Sequence, residues 1–164
     1  MRRARKAPVE GWGARWARLV ADFGWKPGRH ETVPSARVRE LEIETSGISA
    51  TVREGRDRLA EPHIALEPFP DDVREKAVEA LARKASFVAS LLAGRLPEDA
   101  DDALAATGWT LLPASPREIH QSCTCGEGPS PCRHLLALHA VLEERLSRDP
   151  FLLFTLRGID KETL

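Results

Sequence analysis

The chain has 164 residues, of which 42% are apolar and 30% are charged, a composition typical of a folded globular protein. No apolar run approaches the roughly 20 residues that a bilayer span needs, so we expect no membrane partner. The 24 basic and 25 acidic residues give a formal charge of -1, which excludes a whole-molecule positive field for nucleic-acid binding. Three cysteines, and no apolar leader after the basic first residues, predict a cytoplasmic protein.

The first 30 residues are basic, with eight Lys or Arg against two acidic residues. An apolar stripe at helical spacing within this segment predicts a helix that packs on the core: Trp12, Trp16, Leu19 and Phe23. Gly24 and Pro27 are expected to end this helix. Aromatic residues beside arginines can also stack on exposed bases, so nucleic-acid contact is the alternative interpretation of this stripe.

From Val38 the apolar period changes to two, which predicts a β-hairpin with one buried face. Ser46 and Gly47 supply its turn. The apolar positions of the two strands are Leu41, Ile43, Ile48, Ala50 and Val52. A third strand is predicted at residues 63–66.

A helical middle follows two prolines. One helix is predicted from residue 71 to residue 92, with apolar positions at Val73, Ala77, Leu81, Val88 and Leu92. A second, short helix is predicted over residues 98–106, with Gly108 as its stop. Its acidic start is compatible with a metal site, but carboxylates favour a helix N-terminus without any ligand, and we prefer that interpretation. The carboxylates concerned are Glu98, Asp99, Asp101 and Asp102.

The clearest chemical pattern lies in residues 123–134: two cysteines one residue apart, a six-residue loop rich in Gly and Pro, and then Cys-x-His. Three thiolates and one imidazole are the donors that a closed tetrahedral zinc site takes. In an extended chain, residues i and i+2 point to the same side, so the first two cysteines can face one ion. We therefore predict one structural Zn2+, with four ligands: Cys123, Cys125, Cys132 and His134.

Other interpretations of this pattern are weaker. His139 competes with His134 as the fourth ligand, but it lies about 140° further round a helix, so His134 is preferred. A redox pair usually has two intervening residues, and buried structural cysteines do not usually crowd such a loop. Ser130 and Pro131 predict a helix start with Ser as the cap and Pro at the first helical position. His120 is interpreted as a residue that supports the ligands from outside the metal site, or as a surface residue, rather than as a ligand.

The pattern Cys-x-Cys, six residues, Cys-x-His resembles the SWIM zinc finger. The flanks are similar to those of small stand-alone bacterial SWIM proteins, namely Leu111-Leu112-Pro113, Leu135-Leu136-Ala137, 149–154 and 156–158. This resemblance implies a ββα zinc module that binds DNA or proteins. It also implies a family context with Swi/Snf-type DNA translocases and Mutator-type transposases.

We therefore predict an α+β fold in five segments. Residues 1–9 form a basic mobile end, and residues 10–95 hold the first helix, a small antiparallel sheet and a helix. Residues 96–114 connect to the SWIM finger at 115–148. Residues 149–164 form a tail that packs on the finger.

The functional hypothesis is an interaction module rather than an enzyme, because the sequence has no phosphate-binding Gly loop, no Gly-x-Ser-x-Gly elbow and no His-Glu-x-x-His. No small-molecule substrate is evident. The expected partner is a DNA-translocating or helicase-type protein of the Swi/Snf class. The alternative is direct DNA or RNA binding through basic residues of the first segment and the finger, namely Arg2, Arg3, Arg5, Lys6, Arg15, Arg18 and Arg133.

Overall fold

The computed structural model describes residues 10–26, 33–34, 37–126, 131–160 and 163–164, and within them the fold is α+β. The predicted N-terminal helix, small antiparallel sheet and C-terminal helix are confirmed. The strands are β1 (Val38–Glu44), β2 (Gly47–Glu54), β3 (Arg58–Ala60), β4 (Pro62–Leu66) and β5 (Ile119–Cys123). The α-helices are α1 (Trp12–Asp22), α2 (Asp71–Ala82), α3 (Ala85–Leu92), α4 (Ala100–Leu104), α5 (Arg133–Arg148) and α6 (Leu152–Leu156).

The sheet has the order β1-β2-β4-β5, with β3 also paired to β2, and all its pairs are antiparallel. Strand β5 lies beside β4, with Pro62 opposite Cys123 and Leu66 opposite Ile119. At the far end of this pair, the Glu67 N–H donates to the Glu118 carbonyl at 2.9 Å. The helical middle therefore leaves the sheet and returns to it at one place.

The predicted hairpin is confirmed, but its two strands are buried differently. On β2 the residues Ile48, Ala50 and Val52 are all buried, as the alternation predicts. On β1, Ile43 is 40% exposed, contrary to the expected buried face. Ile43 lies opposite the buried Ile48 and shares its face, but β1 is the edge strand of the sheet, where a side chain is less covered than on an inner strand.

The aromatic stripe of α1 packs on the core. Trp12 and Trp16 are buried, and the indole N–H of Trp12 donates to the Leu96 carbonyl at 3.1 Å. Helix α1 lies against α5 at Gly13, where a Cβ would overlap the Glu143 carbonyl oxygen and the Ser147 hydroxyl. The close approach of the two helices therefore requires glycine at this position.

The single helix predicted from residue 71 to residue 92 is wrong, because the chain breaks after α2 and restarts as α3. The break changes the helical register, so Phe87 is buried while Val88 and Leu92 are 38% and 85% exposed. A continuous helix would place Val88 and Leu92 on the core face with the buried residues of α2, and the break removes that relation.

The acidic segment at residues 98–106 forms α4 and a following 3-10 turn, which Gly108 ends with a positive φ. Asp101 accepts a hydrogen bond from the Leu111 N–H at 2.7 Å and pairs with Arg15 at 3.1 Å. Burial raises the pKa of Asp101, and these two contacts oppose that rise. Asp101 thus ties α4 to neighbouring elements.

A fully buried arginine joins the C-terminal part of the chain to the sheet. Arg157 follows α6, and its guanidinium donates to the Leu111 carbonyl at 3.0 Å, the Glu67 carbonyl at 2.8 Å and the Glu118 carboxylate at 2.7 Å. The guanidinium also lies over two aromatic rings, those of Phe69 and Trp109. We call Arg157, Glu67, Leu111 and Glu118 the arginine centre.

No helix in the described part of the chain combines the length and the apolar character needed to cross a bilayer.

Candidate metal centre

The four predicted ligands come from the end of β5 and the beginning of α5. Cys123 is the last residue of β5, and Cys125 follows in the next turn. Cys132 is the N-cap of α5, with extended backbone, and His134 lies in the first helical turn. The predicted start at Ser130 and Pro131 is therefore wrong in position: Pro131 precedes the helix, and Ser130 lies outside the described residues.

The ligand atoms of Cys123, Cys125, Cys132 and His134 all lie within 4.8 Å of one another. His134 Nδ1 is 3.7 Å from Cys123 Sγ and 3.8 Å from Cys132 Sγ. In a tetrahedral zinc site with ordinary bond lengths, sulfur and nitrogen ligands are about 3.6 Å apart. The cluster, which we call the metal centre, therefore has the dimensions needed to hold one metal ion.

All three cysteines of the metal centre are half-buried thiols rather than disulfides, and His134 is buried. Burial, and then the neighbouring thiols Cys125 and Cys132, raise the pKa of Cys123 to about 12. Three thiolates in so small a volume would repel one another. A cation removes this repulsion, which makes the donor set suited to a divalent metal.

The Cys-x-Cys segment is attached to the sheet by the residue between its two cysteines. The Thr124 hydroxyl accepts a hydrogen bond from the Glu61 N–H at 2.9 Å, and the Thr124 N–H donates to the Glu61 carbonyl at 3.4 Å. Gly126 then takes a positive φ, which turns the chain away from the strand. The residue between the two cysteines thereby holds this segment beside β4.

One residue at the metal centre carries no local sequence signal: Glu54, at the end of β2. Its Oε1 lies 3.0 Å from His134 Nε2, and its two carboxylate oxygens lie 2.8 and 2.9 Å from one Arg133 nitrogen. Burial raises the pKa of Glu54, but His134 and Arg133 lower it further, so it lies below the ordinary value. Glu54 and Arg133 are 79 positions apart, and no local spacing could have indicated their contact.

His139, the competing fourth ligand, lies away from the metal centre. Its Nε2 contacts Gln121 Oε1 at 3.1 Å, and its ring lies 5.6 Å from Trp16 and 5.4 Å from Trp25. Burial lowers the pKa of His139 to about 4, so the ring is neutral at neutral pH. The structure thus brings His134, and not His139, to the three thiols. His120 lies exposed on β5.

Three of the basic residues proposed for nucleic-acid contact lie in the described structure, and each is paired with a carboxylate. Arg15 pairs with Asp101 at 3.1 Å, Arg18 pairs with Glu10 at 2.6 Å, and Arg133 pairs with Glu54. The remaining four, Arg2, Arg3, Arg5 and Lys6, lie outside the described residues. Direct nucleic-acid contact by this set therefore stays a prediction.

The surface of the sheet beside Thr124 is acidic. A groove there is lined by three carboxylates, those of Glu40, Glu42 and Glu61, together with His63 and Thr124. The Thr51 hydroxyl donates to Glu40 at 2.9 Å across the same groove. Phosphate groups would be repelled from this face of the sheet.

The fold and the metal centre together define an α+β protein with a Cys3His cluster that could hold a metal ion. The chain is similar to the uncharacterized protein Rv2102 of Mycobacterium tuberculosis, with 30% identity over 157 residues. That alignment covers 93% of this chain but only 56% of the relative, so the chain spans little more than half of that protein. No protein-family model matches the chain, and no solved structure matches it.

Proposed function

We propose that this protein is a structural-zinc interaction module of the SWIM type, and that it is an adaptor for a DNA-translocating partner of the Swi/Snf class. The observation that carries the zinc proposal is the convergence of three thiols and one imidazole nitrogen within 4.8 Å. Thiolate and imidazole donors in tetrahedral number are those of structural zinc sites, and four ligands leave no open position for a substrate.

The adaptor proposal is supported by the charges around the metal centre. The sheet surface beside it is acidic, through Glu40, Glu42 and Glu61. Arg133, which lies between two ligands in the sequence, is engaged by Glu54. A surface that attracts phosphate needs unpaired cations, so this arrangement favours a protein partner over a nucleic acid.

Affinity capture from the native cell tests the partner, with the wild-type protein, Cys125→Ser and the control His120→Ala as baits. We expect a Swi/Snf-type translocase with the wild type and the control, retained after nuclease treatment and reduced with Cys125→Ser. The purified translocase should then bind the purified protein directly. Loss of the translocase on nuclease treatment, or its capture equally by all three baits, would contradict the adaptor proposal.

Nucleic-acid binding is the competing outcome, and salt dependence identifies it. Direct binding through phosphate contacts weakens steeply as salt rises, and it should weaken further when the basic residues of the first six positions are changed to Gln. Binding of DNA or RNA by the purified protein with that salt slope would replace the adaptor with a nucleic-acid-binding protein.

A further inference from the structure

The two nitrogens of His134 face different groups. Nδ1 lies 3.7 and 3.8 Å from the sulfurs of Cys123 and Cys132. Nε2 points the other way and lies 3.0 Å from Glu54 Oε1. This contact has the length of a hydrogen bond but not its ideal angle, and the described residues give Nε2 no other partner.

From this geometry we propose that Glu54 is a positioning residue for the metal centre: it accepts the Nε2–H of His134 and so leaves Nδ1 as the metal ligand. This inference rests on the proposed zinc site. A neutral imidazole carries one N–H, so a carboxylate that accepts it fixes which nitrogen keeps a lone pair for the metal. Carboxylates in this role orient the ring and make the ligand more basic.

Glu54 is itself held in place by Arg133, the residue before the ligand. One guanidinium nitrogen contacts both carboxylate oxygens, at 2.8 and 2.9 Å, so the carboxylate cannot swing away without losing both contacts. The His134 side chain is 2% exposed and that of Glu54 is 17% exposed, which limits the competition of water for these contacts. Glu54 is not a metal ligand itself, because the imidazole ring lies between its carboxylate and the thiols.

The arrangement of charges leaves one net negative charge on the metal-loaded site, because Arg133 compensates Glu54 alone. Three thiolates around a divalent cation carry one net negative charge, and the Glu54 carboxylate adds a second nearby. The Arg133 guanidinium offsets the second charge at direct contact. Glu54 belongs to β2, so a strand of the N-terminal sheet completes a site whose ligands all lie within residues 123–134.

Zinc competition with a chromogenic chelator tests this proposal on the full chain, using Glu54→Ala, Glu54→Gln and the control Glu42→Gln, an exposed glutamate of β1. We expect Glu54→Ala to weaken zinc binding by about 10-fold to 100-fold, the usual effect of losing such a partner. Glu54→Gln should weaken it less, because its amide oxygen still accepts the N–H. Glu42→Gln should match the wild type.

Long-range 15N–1H NMR of the zinc-loaded wild type provides an independent readout that does not depend on the variants folding. It should show His134 with Nδ1 bound to the metal and Nε2 carrying the hydrogen. A metal-bound Nε2, or unchanged affinity and tautomer in Glu54→Ala, would overturn the role of Glu54 while leaving the zinc site standing. A wild-type protein that binds no zinc would instead overturn the proposed function.

Discussion

The metal centre and the arginine centre both join the C-terminal part of the chain to the sheet, but they use different groups. The ligands of the metal centre lie within residues 123–134 and need an ion to hold them together. Arg157 needs no added group, since it donates to oxygens 46, 90 and 39 positions away. The metal centre joins residues that are close in sequence and depends on a metal ion. The arginine centre joins residues that are far apart in sequence and needs no ion.

This difference separates two kinds of stability. A structural zinc site contributes roughly 10 to 16 kcal/mol of apparent binding free energy, and that contribution disappears when the metal is removed. The contacts of a buried, hydrogen-bonded arginine do not depend on metal, so a chelator does not remove them. Substitution of the arginine, however, leaves its buried acceptors without a donor. We therefore expect chelators to loosen the region around β5 and the start of α5, while the contacts of Arg157 with the Leu111 and Glu67 carbonyls stay assembled.

The largest effect is expected from removing a metal ligand, with Cys125→Ser or His134→Ala. Each variant should lose stoichiometric zinc and loosen residues 117–146, because the zinc contribution is comparable to the roughly 5 to 15 kcal/mol that stabilises a whole domain. Metal analysis and hydrogen–deuterium exchange measure the two effects. His120→Ala, on the same strand, is the control that keeps its zinc. If a variant retains one tightly bound zinc, the residue that was substituted is not a ligand.

The arginine centre is broken by Arg157→Met, which removes the donors to the Glu67 and Leu111 carbonyls and to Glu118. We expect the free energy of unfolding to fall by about 3 to 5 kcal/mol, the usual cost of leaving one partner of a buried ion pair. Urea denaturation measures this change, and Arg148→Met at an exposed position is the control. Loss of zinc from Arg157→Met would show that the two centres are not independent.

His139 gives a smaller, pH-dependent effect. Burial lowers its pKa from 6.5 to about 4. Below pH 6.5 the imidazole is therefore protonated in the unfolded chain while it stays neutral in the folded protein. Stability should therefore fall with falling pH, by about 1.4 kcal/mol for each pH unit until the folded ring also protonates. Denaturation of the wild type and His139→Phe, at neutral pH and at mildly acidic pH, isolates this effect. The comparison cancels the acid sensitivity of the metal centre, and parallel losses in both proteins would refute the effect.

The smallest effect concerns the contact between α1 and α5, outside both centres. Gly13→Ala places a methyl group against the Glu143 carbonyl and Ser147, and we expect it to destabilise the fold by about 1 to 3 kcal/mol. Zinc stoichiometry should stay unchanged. Gly11→Ala, where a Cβ meets nothing within 4 Å, is the control for thermal unfolding, and because Gly11 is the N-cap of α1 we expect it to cost about 0.5 kcal/mol. Equal effects of the two substitutions would mean that the helices adjust to the added methyl.

The features that the sequence predicted correctly depend on neighbours a few positions apart. The α1 stripe through Trp12 and Trp16 repeats at helical spacing, and the Cys-x-Cys and Cys-x-His pairs lie within one short segment. Periodicity did not predict the break between α2 and α3, because no Gly or Pro marks it in the sequence. Val88 still falls at helical spacing from the apolar residues of α2.

Long-range partners were beyond the reach of spacing arguments. In the sequence, Glu54 is an ordinary charged residue near the end of a strand, and its contact with His134 depends on the packing of α5 against the sheet. The sequence indicated Arg157 only as part of the segment 156–158 that resembles the SWIM flanks. Its neighbours in the sequence do not indicate that the guanidinium is buried. Polar groups that pair across 39 to 90 positions require the tertiary structure to be known first.

The pairing of β4 with β5, closed by the Glu67 N–H and the Glu118 carbonyl, bears on how the protein tolerates changes in length. The helical segment leaves and rejoins the sheet at one point, so it is a closed loop whose ends are fixed. Doubling the length of such a loop costs only about 0.6 kcal/mol of closure entropy. We expect insertions at the exposed α2–α3 junction to leave the metal centre in place, and homologous proteins to differ in length there first.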